Sequence, residues 1–177
     1  DVYGYGSDPR IKTQLEFAKA LDAKEPDALN ANTTVFIQCV GSRCDERPWC
    51  SKVCCNHSIM DSIAIKEANP SARVFVLYRD IRTFGLNEPY YEKARRLGVI
   101  FARFDAENPP SVEVSSKINV RFKDKVLGGE MTVSADNVVL AAAIIPDEYN
   151  KELSRLYKIS TNEDGYFLEA HMKLRPV

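Results

Sequence analysis

All five cysteines of this chain lie between positions 39 and 55, in the stretch FIQCVGSRCDERPWCSKVCC: Cys39, Cys44, Cys50, Cys54 and Cys55. Thiols so close together suit four kinds of chemistry. Buried structural cysteines are common, which accounts for Cys39 at the end of an apolar run but not for Cys44 among Arg43, Asp45, Glu46 and Arg47. Structural zinc favours paired CxxC units. The spacing here, Cys39-x4-Cys44-x5-Cys50-x3-Cys54-Cys55, contains none, and neighbouring Cys54 and Cys55 do not readily share one tetrahedral ion. A redox dithiol draws support from Cys50 and Cys54, which fall at or near a predicted helix N-terminus, where the dipole stabilises a thiolate; the spacing is not Cys-x-x-Cys. An iron–sulfur cluster held by thiolates, with loop and helix amides tuning its potential, fits the set best.

The elements that must position these thiols are legible in outline. TTVFIQCV reads as a buried parallel strand, residues 51–68 as a helix with Val53, His57, Met60, Ile63 and Ala64 along one side, and RVFVLYR (73–79) as a second strand. Residues 87–98 form a second predicted helix, with Asn87 as N-cap and Gly98 as its stop, and VIFARF (99–104) a third strand. Upstream, 11–23 predicts an amphipathic helix with Leu15, Ala18 and Leu21 at helical spacing, and Lys24 to Thr33 a linker. Strand–helix–strand–helix–strand specifies a right-handed parallel βαβαβ unit. After it, SVEVSSKINVRF and GGEMTVSA alternate as antiparallel strands do, and NVVLAAAII (137–145) returns to a central-strand pattern that Pro146 ends. The expected fold class is therefore α/β: a Rossmann-like parallel sheet with an inserted antiparallel β-meander, as in the nucleotide-binding half of two-dinucleotide flavoproteins.

The first βα turn argues against a bound dinucleotide. A pyrophosphate needs closely spaced glycines there, and CVGSRCDERPWCSK supplies only Gly41. Asp80 stands where a ribose-binding acid would, although an Asp is common in loops. A net charge of −1 gives no reason to invoke nucleic acid or an anionic membrane as partner. Neither a run of about 18 apolar residues nor a signal-peptide pattern occurs, so a reducing, cytoplasmic location is expected, one that disfavours disulfides. The sequence opens on Asp1 and stops at KLRPV, which reads as a piece of a longer protein.

FIQCVGSR, WCSKVCC, VFVLYRDIRTFG and the closing EDGYFLEAHMKLRPV together resemble the A subunit of heterodisulfide reductase and its relatives, including the flavin subunits of the quinone-interacting membrane-bound oxidoreductase complex. The resemblance spans Tyr3 to Val177. It implies a thioredoxin-reductase-like core that binds FAD, with iron–sulfur clusters passing electrons between subunits. Within that core, residues 1–33 would be a connecting helix and linker from an FAD-binding half. Residues 34–150 would be the Rossmann-like domain carrying the cysteines, and 151–177 a helix and return segment. The FAD fingerprint would lie upstream, so tight FAD binding is expected of the full-length parent and not of this piece.

By the same resemblance, Cys39, Cys50 and Cys54 are ligands of a [4Fe–4S] cluster, with Cys55 or a thiol outside the chain as the fourth. Cys44 departs from the pattern, where an acidic residue follows CVGSR. The implied function is an electron-transfer domain of an FAD and iron–sulfur oxidoreductase subunit in anaerobic metabolism, inactive as an isolated piece. Its implied partners are other heterodisulfide-reductase-like or quinone-interacting oxidoreductase subunits, reaching a membrane only through them. The alternative is a scaffold or interaction module without cofactors, with zinc or a dithiol at the cysteines. Among other residues, Arg79, Arg82 and Lys52 either offset cluster charge or are solvated, the latter being favoured. His57 is expected to be a locally bonded helix-face residue, Trp49 a shield for the loop, and His171 a surface or flavin-proximal group.

Overall fold

The computed structural model describes residues 2–126 and 128–169, so the expectation for His171 and the KLRPV end lies outside the described residues. The chain divides into two units, Asp1–Ala143 and Ile144–Val177.

In the first unit the elements run β1 (Ile11–Thr13), α1 (Gln14–Asp22), α2 (Pro26–Leu29), β2 (Thr33–Val40), α3 (Cys54–Ala68), β3 (Arg73–Tyr78), α4 (Glu88–Arg96), β4 (Ile100–Arg103), β5 (Ser111–Val114), β6 (Ile118–Lys123), β7 (Glu130–Ala135) and β8 (Asn137–Ala142). Strands pair in the order β1-β8-β2-β3-β4, all parallel, while β5-β6-β7 form a separate antiparallel sheet. This is the expected α/β architecture: βαβαβ, a meander, then a return to the interior of the parallel sheet.

Alternation along the parallel strands separates two cores, because successive side chains point to opposite faces. Phe36, Val74, Val76 and Val139 pack with Phe17, Ile59, Ile63 and Ala94 of the helices. Val35, Ile37, Phe75, Leu77, Val138 and Leu140 pack against Ile118, Val120, Phe122 and Val133 of the meander. This unit is thus layered as helices, parallel sheet, antiparallel sheet. Phe17 and Phe36 meet edge to face with ring centroids 5.7 Å apart, a geometry that adds about 1 kcal/mol to the area they bury.

Several local expectations need correction. Residues 11–13 form a strand, because β8 offers them a parallel partner, and α1 begins only at Gln14 under a capping box in which Thr13 and Glu16 bond reciprocally. Its inner face is Gln14, Phe17, Ala20 and Leu21, leaving Leu15 66% exposed. The expected linker contains the short α2, started by Pro26 at its first position. Helix α3 starts at Cys54, and its buried side is Cys54, Cys55, Ser58, Ile59, Ser62, Ile63, Ile65 and Lys66, while Val53 and Met60 are exposed. Lys66 reaches forward to donate to the main-chain oxygens of Pro70 and Ala72, 2.5 and 2.9 Å away in the turn after the helix, which satisfies a largely buried charge. Asn87 makes no side-chain cap bond, since a 3-10 turn over Gly85–Asn87 precedes α4. β8 ends at Ala142, ahead of Pro146.

The second unit carries the helix α5 (Asn150–Tyr157), closed by Lys158 in the left-handed conformation at φ 53°. Within this unit Asn150 Nδ2 donates to Gly165 O at 3.1 Å, and Tyr166 Oη to Ile144 O at 2.5 Å.

Candidate functional site

The thiols gather where β2 ends and α3 begins, at the C-terminal edge of the parallel sheet, which is where ligands sit in open α/β folds. β2 loses its regular ladder there. Its register with β8 shifts between Ile37 and Val40, and Cys39 is left-handed at φ 61°. A bulge of this kind re-aims side chains. Gly41 (φ 72°) and Arg43 (φ 57°) continue the reversal, and Cys44 and Arg47 then pair main chain to main chain at 3.1 Å in both directions. Arg47 Nε donates to Gly41 O at 2.5 Å and Arg43 N to Trp49 O at 3.2 Å, so the loop is held by its own bonds.

Cys54 and Cys55 are the first two residues of α3 and are 4% and 3% exposed, packed with Ala141 of β8. Their thiols interact directly. The Cys54 thiol donates to the Cys55 sulfur, and this bond holds Cys55 below the ordinary thiol range despite opposing burial; the Arg82 main-chain N–H and the Arg82 and Arg43 charges act in the same direction. Cys54 is pushed up, first by that bond, then by burial and the charges of Cys55, Cys39 and Cys50. Burial also raises Cys39, against the pull of Arg43 and Arg79. The sulfur of Cys50 accepts the Lys52 main-chain N–H at 3.3 Å.

Cys39, Cys50, Cys54 and Cys55 therefore share one electrostatic neighbourhood, since the other three all act on Cys54. Cys44 stands apart, with its thiol 3.9 Å from Gly41 O and 3.7 Å from Glu46 Oε2. Among the described residues, no group of three or more His, Cys, Asp or Glu side chains is arranged to hold a metal ion. The donor set nonetheless has the chemistry of a cluster site: four thiols, amide N–H groups aimed at two of the sulfurs, and guanidinium charge nearby.

Asp80, placed by sequence where a ribose-binding acid would be, is taken up by arginines: Arg43 Nη2 lies 2.7 Å and Arg103 Nη2 3.2 Å from its carboxylate. Arg43 foremost, and Arg103 with it, hold the Asp80 carboxyl below its usual range. Arg43 was not singled out by the sequence, although it links Cys39, Asp80 and, through its main-chain oxygen at 2.9 Å, Arg79 Nη1. An arginine two residues after a glycine turn, followed by an acid at the next strand end, is the signal that was there to be read. Arg82 acts on Cys55 with both charge and main-chain N–H. Lys52 contributes its main-chain N–H, its side chain being exposed. His57 is exposed on α3, its main-chain N–H bonded to Val53 O at 3.1 Å, and Trp49 is half-buried in the loop.

Beneath the thiols lies a polar group that hydrophobic patterning passes over. Gln14, Gln38 and Ser58 are 9%, 1% and 0% exposed. Gln14 Nε2 donates to Cys54 O (2.9 Å) and Ser58 Oγ (2.6 Å), and Gln38 Nε2 donates to Ser58 Oγ at 2.5 Å. The side-chain oxygen of Gln38 is buried with no hydrogen-bond partner among the described residues, a loss of about 1–3 kcal/mol that an apolar side chain would avoid.

Comparison with known proteins yields no matching family model. The chain is 34% identical over its full length to the iron-sulfur A subunit of the CoB–CoM heterodisulfide reductase of Methanocaldococcus jannaschii, spanning 29% of that protein. It is 35% identical, again over its full length and 29% of the relative, to the A subunit of the H2/formate:CoB-CoM heterodisulfide,ferredoxin reductase of Methanococcus maripaludis. A protein of Archaeoglobus profundus described as like the heterodisulfide reductase A subunit is 35% identical over 89% of the chain and 22% of that protein. Among solved structures, the thioredoxin reductase of T. acidophilum superposes with a TM-score of 0.53 at 14% identity, over 94% of this chain and 46% of that one; the likeness establishes the fold.

Proposed function

From the premise that this chain is related over its whole length to a segment of the heterodisulfide reductase A subunit, we propose that it is the electron-relay domain of such an oxidoreductase, with Cys39, Cys50, Cys54 and Cys55 as the holders of a [4Fe–4S] cluster. The carrying observation is the placement of Cys39 at the end of β2 and of Cys54 and Cys55 at the start of α3, at one edge of the parallel sheet, with the Lys52 main-chain N–H donating to the Cys50 sulfur in the loop between them, while the Cys44 thiol lies against Gly41 O and Glu46 Oε2. When bound, such a cluster supplies one-electron storage and release. It spreads its ligands over several irons, so the thiols need not converge on one point as they would for a lone tetrahedral ion.

The protein's own residues set the conditions. The Lys52 and Arg82 main-chain N–H groups donate to Cys50 and Cys55 sulfur, which stabilises negative charge on those sulfurs. Arg43, Arg79 and Arg82 supply positive charge where four thiolates would otherwise repel one another. Burial of Cys54 and Cys55 under Ala141 keeps water from that side of the site. FAD belongs to the full-length parent in this proposal, as do partner subunits of a heterodisulfide-reductase-like or quinone-interacting complex and a cytoplasmic location. Among the described residues no helix is long and apolar enough to cross a membrane.

The test is iron and acid-labile sulfide per chain after anaerobic purification, for wild type, Cys50→Ser and Cys44→Ser. About four of each are expected in wild type, lost in Cys50→Ser and retained in Cys44→Ser. Stoichiometric zinc in place of iron would reassign the thiols to a structural metal site, and protein that binds neither metal nor sulfide after reconstitution would sink the relay reading.

A further inference from the structure

The buried amides and hydroxyl beneath the thiols take no part in the proposed relay, yet they join the three elements around it. Gln14 comes from the start of α1, Gln38 from the end of β2 beside Cys39, and Ser58 from α3 one turn beyond Cys54. A hydroxyl oxygen has two lone pairs. Ser58 Oγ fills both, accepting from Gln14 and Gln38, while Gln14 also grips the Cys54 carbonyl and Ser62 Oγ donates to the Ser58 carbonyl at 2.6 Å.

At both places one ordinary local restraint is missing beside the thiols. The β2–β8 register slips between Ile37 and Val40, and Cys39 lies in the slip, although pairing resumes at Val40 with Ala142; a residue inside such a bulge is not itself fixed by pairing. Helix α3 begins with no side-chain cap on Val53, so its first turn, with Cys54 and Cys55, is not held by the usual cap bond. The polar group ties these two segments to each other and to α1.

We infer that Gln14, Gln38 and Ser58 form a positioning latch that fixes the Cys54–Cys55 turn relative to Cys39. The latch residues touch no sulfur chemistry themselves; they set the spacing of the residues that do. The inference rests on the relay reading only for its spectroscopic consequence, since thiol spacing and protection are defined without a cluster.

The experiment is residue-by-residue alkylation by iodoacetamide, read by mass spectrometry on the metal-free, reduced full chain, with loop thiol Cys44 as internal reference. Ser58→Ala, Gln14→Met and Gln38→Met are compared with Thr34→Val, which removes another buried, unpartnered hydroxyl from β2 outside the latch. The Cys54-to-Cys44 rate ratio is expected to rise about tenfold in Ser58→Ala, since losing the shared acceptor lets the turn open locally. It rises several-fold in Gln14→Met and stays at the wild-type value in Thr34→Val, with hydrogen exchange of β3 amides unchanged throughout. In anaerobically reconstituted protein, the latch variants keep their iron but shift its paramagnetic signature. Should Ser58→Ala not fold, Gln14→Met at the rim of the network decides the matter. An unchanged thiol ratio in folded variants overturns the latch, as does a rise that Thr34→Val shares. Wild type without a cluster would defeat the relay reading while leaving the thiol ratios to judge the latch.

Discussion

Asp61 offers a prediction whose size follows from its surroundings. It lies on α3, its Oδ2 is buried without a hydrogen-bond partner among the described residues, and its carboxyl is pushed up from 3.8 to about 7, mainly by burial and secondarily by Asp22. A carboxyl raised on folding favours the protonated form. Its contribution is therefore fully present below about pH 4, the unfolded value, and is lost as pH rises through about 7. Three pKa units correspond to about 4 kcal/mol, and about half of that is a realistic figure once local water and side-chain relaxation are allowed for. Asp61→Asn, which keeps the shape and removes the charge, should gain about 2 kcal/mol over wild type at pH 8 and nothing at pH 4.5. The assay is urea unfolding at half-unit steps from pH 4.5 to 8.5. The difference between the two curves isolates Asp61, because every other titrating group, Cys55 included, is common to both. Parallel curves across the whole range would refute the reasoning.

Two further outcomes are expected. Arg43→Met removes a hydrogen bond and a charge that oppose the upward push of burial on the Cys39 thiol, so the pH midpoint of Cys39 alkylation should rise; an unmoved midpoint would show that Arg43 serves Asp80 alone. Gly98 follows α4 at φ 84° with open space around the missing Cβ, so Gly98→Ala should lower stability by about 1 kcal/mol through backbone strain only, and Gly98→Asn by less, as thermal unfolding would report.

The parallel sheet was readable because its strands are continuous apolar runs, and TTVFIQCV and RVFVLY fall where expected. What eluded the sequence was orientation. In α3 the inner face is built from Cys54, Cys55, Ser58, Ser62 and Lys66 as well as three isoleucines, so a search for apolar periodicity settles on Val53 and Met60, which face water. In α1, Leu15 looks like core, but a strand of three residues ahead of the helix shifts the register and Phe17 takes the inner position. The cysteines stood out by composition. Their polar supports did not, since Gln14 and Gln38 become meaningful only when a helix start and a strand end more than twenty positions apart are brought to one serine.

The position of β8 has a consequence for how the thiol site comes into being. This strand, residues 137–142, is an interior strand of the sheet, inserted between β1 and β2, which lie about a hundred positions or more upstream. Contacts of such sequence separation are slow to form, and during synthesis neither neighbour can be joined until β8 has emerged. Ala141, which covers Cys54 and Cys55, arrives with it. The thiols are thus translated early and enclosed late. For that interval the nascent chain presents an open, reactive set of sulfurs, and a cluster of the kind proposed above would have its natural opportunity to form before β8 slides into place.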